Sequence, residues 1–102
     1  MGESVKLSRA ILSEAEYRYA ARFKLFVTLL FLASRGECEQ SGVRLKRGEL
    51  VTSINSLAAQ TLLSVKQVRR GLDALKKAGR ITTVSSPLHT VINICNFDSY
   101  VI

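Results

Sequence analysis

Two serines, Ser53 and Ser64, each stand where a helix has to begin, and that pair constrains the fold more than any other feature of the chain. A serine hydroxyl at a helix start accepts a hydrogen bond from a backbone N–H that has no partner inside the helix. After Ser53, Leu57 and Ala58 mark the inner face of a short helix that ends near Gln60. Leu62 and Leu63 lead directly to Ser64, where Gln67 three residues on completes a capping-box pattern. Val65, Val68, Leu72 and Leu75 give this second helix one apolar face, and Gly79 after Ala78 supplies a left-handed stop. Two short helices joined so tightly cross steeply, which predicts a helix-turn-helix unit.

The flanks of the unit extend the pattern. Residues 43–45 and 50–52 are short β-prone runs around the turn-like Lys46-Arg47-Gly48. Residues 81–84 and 90–95 are β-branched runs on either side of Ser85-Ser86-Pro87-Leu88-His89, the pattern of a hairpin with a polar loop. Upstream, Phe23, Phe26, Val27, Leu30 and Phe31 recur at helical spacing and predict a long core helix over residues 17–34. Leu25, Leu29 and Leu32 lie off that stripe and are the candidate oligomer interface; the alternative is a helix simply buried at the centre of a small core. A shorter helix is expected over residues 5–12 and a polar loop over residues 36–42. The order helix, strand, helix, helix, hairpin predicts an α+β fold, mainly α. It is a winged helix-turn-helix with extra N-terminal helices, occupying residues 1–102 as a single domain.

Charge points to a partner. The net charge is +7, and it is local: residues 1–42 carry six Lys/Arg against five Asp/Glu, residues 43–80 nine against two, and residues 81–102 only Asp98. A basic excess confined to one stretch is the electrostatic footprint of a polyanion-binding surface; a solvated basic face is the plainer alternative. The longest apolar run, residues 25–33, is too short to span a bilayer, and the N-terminus lacks the layout of a signal peptide, so a cytoplasmic location is expected. Cys38 and Cys95 are far apart without CxxC spacing, and His89 is the one histidine, so neither a disulfide framework nor a metal site is indicated. No nucleophile–base pair or cofactor motif is visible, and a non-catalytic role without a cofactor is expected.

Turning the Val68/Leu72/Leu75 side of the second helix inward centres its outer side on Arg70, with Lys66 and Lys77 beside it. A helix of this kind lies in the major groove, which nominates Lys66, Gln67 and Arg70 as base readers, since Arg pairs bidentately with guanine and Gln with adenine. Arg69, Lys76, Lys77 and Arg80 are better placed for phosphates. Asp73 is spaced to pair with Arg69, Arg70 or Lys77, so part of this charge can be spent within the helix. Ser86 and His89 in the predicted wing are candidates for a backbone or minor-groove contact; a solvated loop is the alternative.

The run Leu45-Lys46-Arg47-Gly48-Glu49-Leu50-Val51-Thr52-Ser53, then Leu57-Ala58, Leu63-Ser64, Val68-Arg69-Arg70, Leu72, Leu75, Gly79-Arg80-Ile81 and the ending Val91 to Tyr100 resemble one known family. It is the N-terminal winged-helix domain of DnaD-like replication-initiation proteins and phage replisome organisers. The resemblance covers nearly the whole chain. It implies DNA replication initiation or restart, a domain that binds double-stranded DNA and self-associates as a homodimer or higher homo-oligomer, a replication-protein partner, and a further C-terminal domain in a longer protein. One departure is Leu62, where the family usually has glycine between the two helices; a left-handed residue there costs about 1 kcal/mol or more, so a differently built turn is expected. Two other functions share the fold: an interaction scaffold using the apolar segment around residues 25–32, and a transcription regulator.

Overall fold

The structure is a computed structural model, and it describes residues 6–8 and 20–101. Its elements run α1 (Ala20–Leu32), β1 (Cys38–Gln40), β2 (Val43–Leu45), β3 (Glu49–Thr52), α2 (Ile54–Thr61), α3 (Val65–Lys77), β4 (Ile81–Ser85), β5 (Thr90–Ile94) and α4 (Phe97–Tyr100). The fold is α+β, with two small antiparallel sheets. β1 and β2 form a two-stranded ribbon, and the other sheet has the order β3-β5-β4.

Both helix starts fall where the serines place them. Ser53 Oγ accepts from Ser56 N at 3.1 Å, and Ser64 Oγ accepts from Gln67 N at 3.0 Å while Ser64 N donates to Gln67 Oε1 at 2.9 Å. The end of α3 is equally specified. Gly79, at φ +76°, lets its own N–H reach Lys76 O, and the N–H of Arg80 reaches Leu75 O at 2.9 Å. Those two bonds satisfy carbonyls that the helix leaves open, in the Schellman arrangement.

The turn between α2 and α3 contradicts one expectation. Leu62 does adopt the left-handed conformation, φ 62° and ψ 23°, although it has a β-carbon. Its neighbours stabilise that geometry: Thr61 is fully buried, donates its hydroxyl to Leu57 O at 2.7 Å and accepts from Leu63 N at 3.3 Å. Leu62 itself points outward, 85% exposed.

Register sets the inward face of the larger sheet. Leu50 and Thr83 both stand opposite Ile92, and Ile81 stands opposite Ile94, so Leu50, Ile81, Ile92 and Ile94 share one apolar face. Against it pack Leu57 of α2, Val68, Leu72 and Leu75 of α3, and Leu25, Phe26, Leu29 and Leu30 of α1. Phe97, Tyr100 and Val101 close the core at the C-terminal end, with the Tyr100 ring edge-on to Phe26 at 5.2 Å.

Three further expectations are corrected. First, Phe26 and Leu30 of the α1 stripe are buried, but the inner side is turned so that Leu25 and Leu29, the candidate interface residues, fill the centre of this chain's own core, as the alternative of a simply buried core helix has it; Leu32 is half-buried against that core, and Phe31 of the stripe is 57% exposed. An almost all-apolar helix carries no periodic signal to choose its inner side. Second, residues 38–40 of the expected polar loop form β1, held by backbone pairing to β2 with all three side chains exposed. Third, Leu7 bridges Val101 in antiparallel fashion and Ser8 N donates to Tyr100 O, so residues 6–8 are not helical. The rest of the helix expected over residues 5–12, and residues 17–19 of the long helix, lie outside the described residues. Among the described residues no helix is long and apolar enough to cross a membrane.

Candidate nucleic-acid interface

The basic stretch divides once it is folded. Arg44 lies in the ribbon and reaches Glu37 at 3.8 Å. Arg47 is held by three groups: its Nε donates to Asp98 Oδ1 at 2.6 Å, its Nη1 donates to Arg35 O at 2.7 Å, and its guanidinium lies 5.0 Å from the Phe97 ring centre. What remains is concentrated on α3 and its end, where Lys66, Arg69, Arg70, Lys76, Lys77 and Arg80 face a single acid, Asp73.

The inner face of α3 is Val68, Gly71, Leu72 and Leu75. Gly71 was not marked by hydrophobicity, and its burial against α1 turns the helix. The outward centre moves from Arg70 toward Lys66 and Lys77, leaving Arg70 on one shoulder and Arg69 and Lys76 on the other. On the first shoulder Arg70 and Gln67 line a shallow groove of about 170 Å³ with Ala21 and Arg22 of α1. On the second, Arg69, Asp73 and Lys76 line a cleft of about 200 Å³ whose far wall is Thr83, Ser85 and Thr90 of the sheet.

The hairpin tip comes back to this second shoulder. Ser86 N donates to His89 O at 2.8 Å, closing a turn through Pro87 and Leu88, and Ser86 Oγ donates to the same carbonyl at 2.9 Å. A groove of about 210 Å³ runs from this turn past Ser53, Ile54 and Asn55 to Arg69. The structure therefore brings Ser86, His89 and Arg69 to one groove.

Three expected contacts are already engaged within the chain. Gln67 Oε1 accepts from Ser64 N, and a bidentate grip on adenine needs that same oxygen, so Gln67 serves first as a cap rather than a reader. Lys77 Nζ sits 3.1 Å from Asp73 Oδ2. Arg80 is half-buried, with its carbonyl accepting from Cys95 N at 2.9 Å, and it ties the end of α3 to the end of β5. Lys66, Arg69, Arg70 and Lys76 are exposed and form no ion pair with another described residue. Arg22 and Asn55 were missed by sequence reasoning, since each joins the surface only through tertiary packing. Among the described residues no group of three His, Cys, Asp or Glu is arranged to hold a metal.

No family model matches the chain, and no curated protein or solved structure matches it.

Proposed function

We propose that this protein is a winged-helix module that binds duplex DNA through the outward side of α3. The observation that carries the reading is the side itself: Lys66, Arg69, Arg70 and Lys76 are exposed, without an ion-pair partner among the described residues, on a helix capped at both ends. The order strand, two helices, hairpin, with β5 between β3 and β4, supports the winged form of the reading. In a major groove, Lys66 and Arg70 reach base edges, while Arg69 and Lys76 reach the phosphates along the groove wall. The wing turn at Ser86 and His89 lies beside Arg69 and extends the backbone contact. The resemblance to DnaD-like proteins makes replication initiation or restart the proposed setting, as part of a longer protein or phage replisome organiser. A transcription regulator would use the same contacts.

The test is a salt series of binding to random duplex and to single-stranded DNA, comparing the wild type with Arg70→Ala and Lys66→Ala. Duplex affinity is expected to fall linearly in log–log form. Each variant weakens it several-fold, and Arg69→Ala or Lys76→Ala flattens the slope by about one unit. Absent binding at low salt, or two variants indistinguishable from wild type, overturns the reading.

A second reading has its own observation. Phe31 is 57% exposed on the outer side of α1, with the half-buried Val27 one turn away, which favours a surface for self-assembly. Sedimentation of Phe31→Ser against wild type checks it: a wild type that stays monomeric at high concentration removes it.

A further inference from the structure

Asp73 is the one acid on α3, and it stands among the cations of the proposed DNA surface rather than apart from them. It is exposed, its Oδ2 is 3.1 Å from Lys77 Nζ, and it lines the same cleft as Arg69 and Lys76. A helix-stabilising role accounts poorly for its position. An exposed pair one turn apart contributes little, because water screens it and two long side chains must be ordered to make it. Its effect on an approaching polyanion is larger. A carboxylate on this surface repels phosphates and competes with them for Lys77, while it can still accept a hydrogen bond from a base amino group in the groove.

We propose that Asp73 is a selectivity residue: its carboxylate holds Lys77 back from the DNA backbone and so limits binding that rests on phosphates alone. The proposal rests on the duplex-DNA reading above.

The experiment is a salt series with a random-sequence duplex, using wild type, Asp73→Asn, Lys77→Ala and the double variant. Asp73→Ser serves as a second replacement, and circular dichroism monitors folding. Asp73→Asn is expected to bind random duplex roughly three- to tenfold more tightly at low salt, with a log–log slope steeper by about one unit. Lys77→Ala then costs up to about twofold more in the Asp73→Asn background than in the wild type. The non-additivity reports the hold of the carboxylate on the ammonium. Unchanged affinity and slope in both Asp73 variants, or an equal cost of Lys77→Ala in both backgrounds, overturns the selectivity role and leaves the DNA reading intact. A wild type that shows no salt-dependent binding overturns both.

Discussion

Gly71 lies so close to Leu25 that a β-carbon on it would stand 2.6 Å from Leu25 Cδ2. This approach lets α1 and α3 meet, and Leu25 is fully buried, so its methyl has no free space to enter. Alanine at position 71 gains about 1 kcal/mol of helix propensity, but overpacking a tight core costs about 1 to 3 kcal/mol. Gly71→Ala is expected to lower stability by about 1 kcal/mol in denaturant unfolding. The loss shrinks when Leu25→Val removes the obstructing methyl. An increase in stability for Gly71→Ala alone would show that the overpacking costs less than the gain in helix propensity.

Leu62 predicts the opposite sign for a substitution to glycine. Its left-handed backbone strains any residue with a β-carbon by about 1 to 2 kcal/mol, and at 85% exposure its side chain contributes almost no burial. Glycine relieves the strain and gives back part of the gain through a more flexible unfolded chain. Leu62→Gly should raise stability by about 0.5 to 1 kcal/mol and leave DNA affinity within twofold of wild type. Thermal unfolding decides it, and a lower melting temperature contradicts it.

Arg47 separates fold from function within the basic stretch. Its contacts with Asp98, Arg35 and Phe97 join the β2–β3 turn to the C-terminal helix and to the chain after α1. Lysine keeps the charge but loses the planar fork and the ring stacking, so Arg47→Lys should cost about 0.5 to 1 kcal/mol of stability. Its salt-dependent DNA binding should match wild type, since Arg47 is not on α3. A weakened affinity at unchanged stability would move the interface to the ribbon side.

The parts of the fold that were legible in sequence are those set by local chemistry. Ser53, Ser64 with Gln67, and Gly79 fix helix ends through backbone hydrogen bonds a few residues away, and β-branched residues mark β4 and β5. Where several arrangements satisfy the same local pattern, only the packed chain decides. The apolar run in α1 is compatible with either Phe31 or Leu25 facing inward, and the depth of Gly71 settles how α3 is turned. β1 gave no signal because Cys38, Glu39 and Gln40 are all exposed, and β2 holds them by backbone pairing. The candidate site was legible as a set of residue types. The engagement of Arg47 within the chain was not, whereas the capping box announced that of Gln67 and the spacing of Asp73 and Lys77 allowed their pair.

The two ends of α3 are fastened by different devices: a reciprocal side-chain cap at Ser64, and backbone bonds that run through Arg80 to Leu75 and Cys95. The caps keep the ends from fraying, and the burial of Val68, Leu72 and Leu75 in the core keeps the helix from tilting or sliding. What such a helix meets can therefore be altered by exchanging side chains along its outer edge while its pose stays fixed. On the proposed duplex-DNA reading, altered recognition is a matter of substitution at positions such as Lys66, Arg70 and Asp73, and the scaffold beneath them can be inherited unchanged.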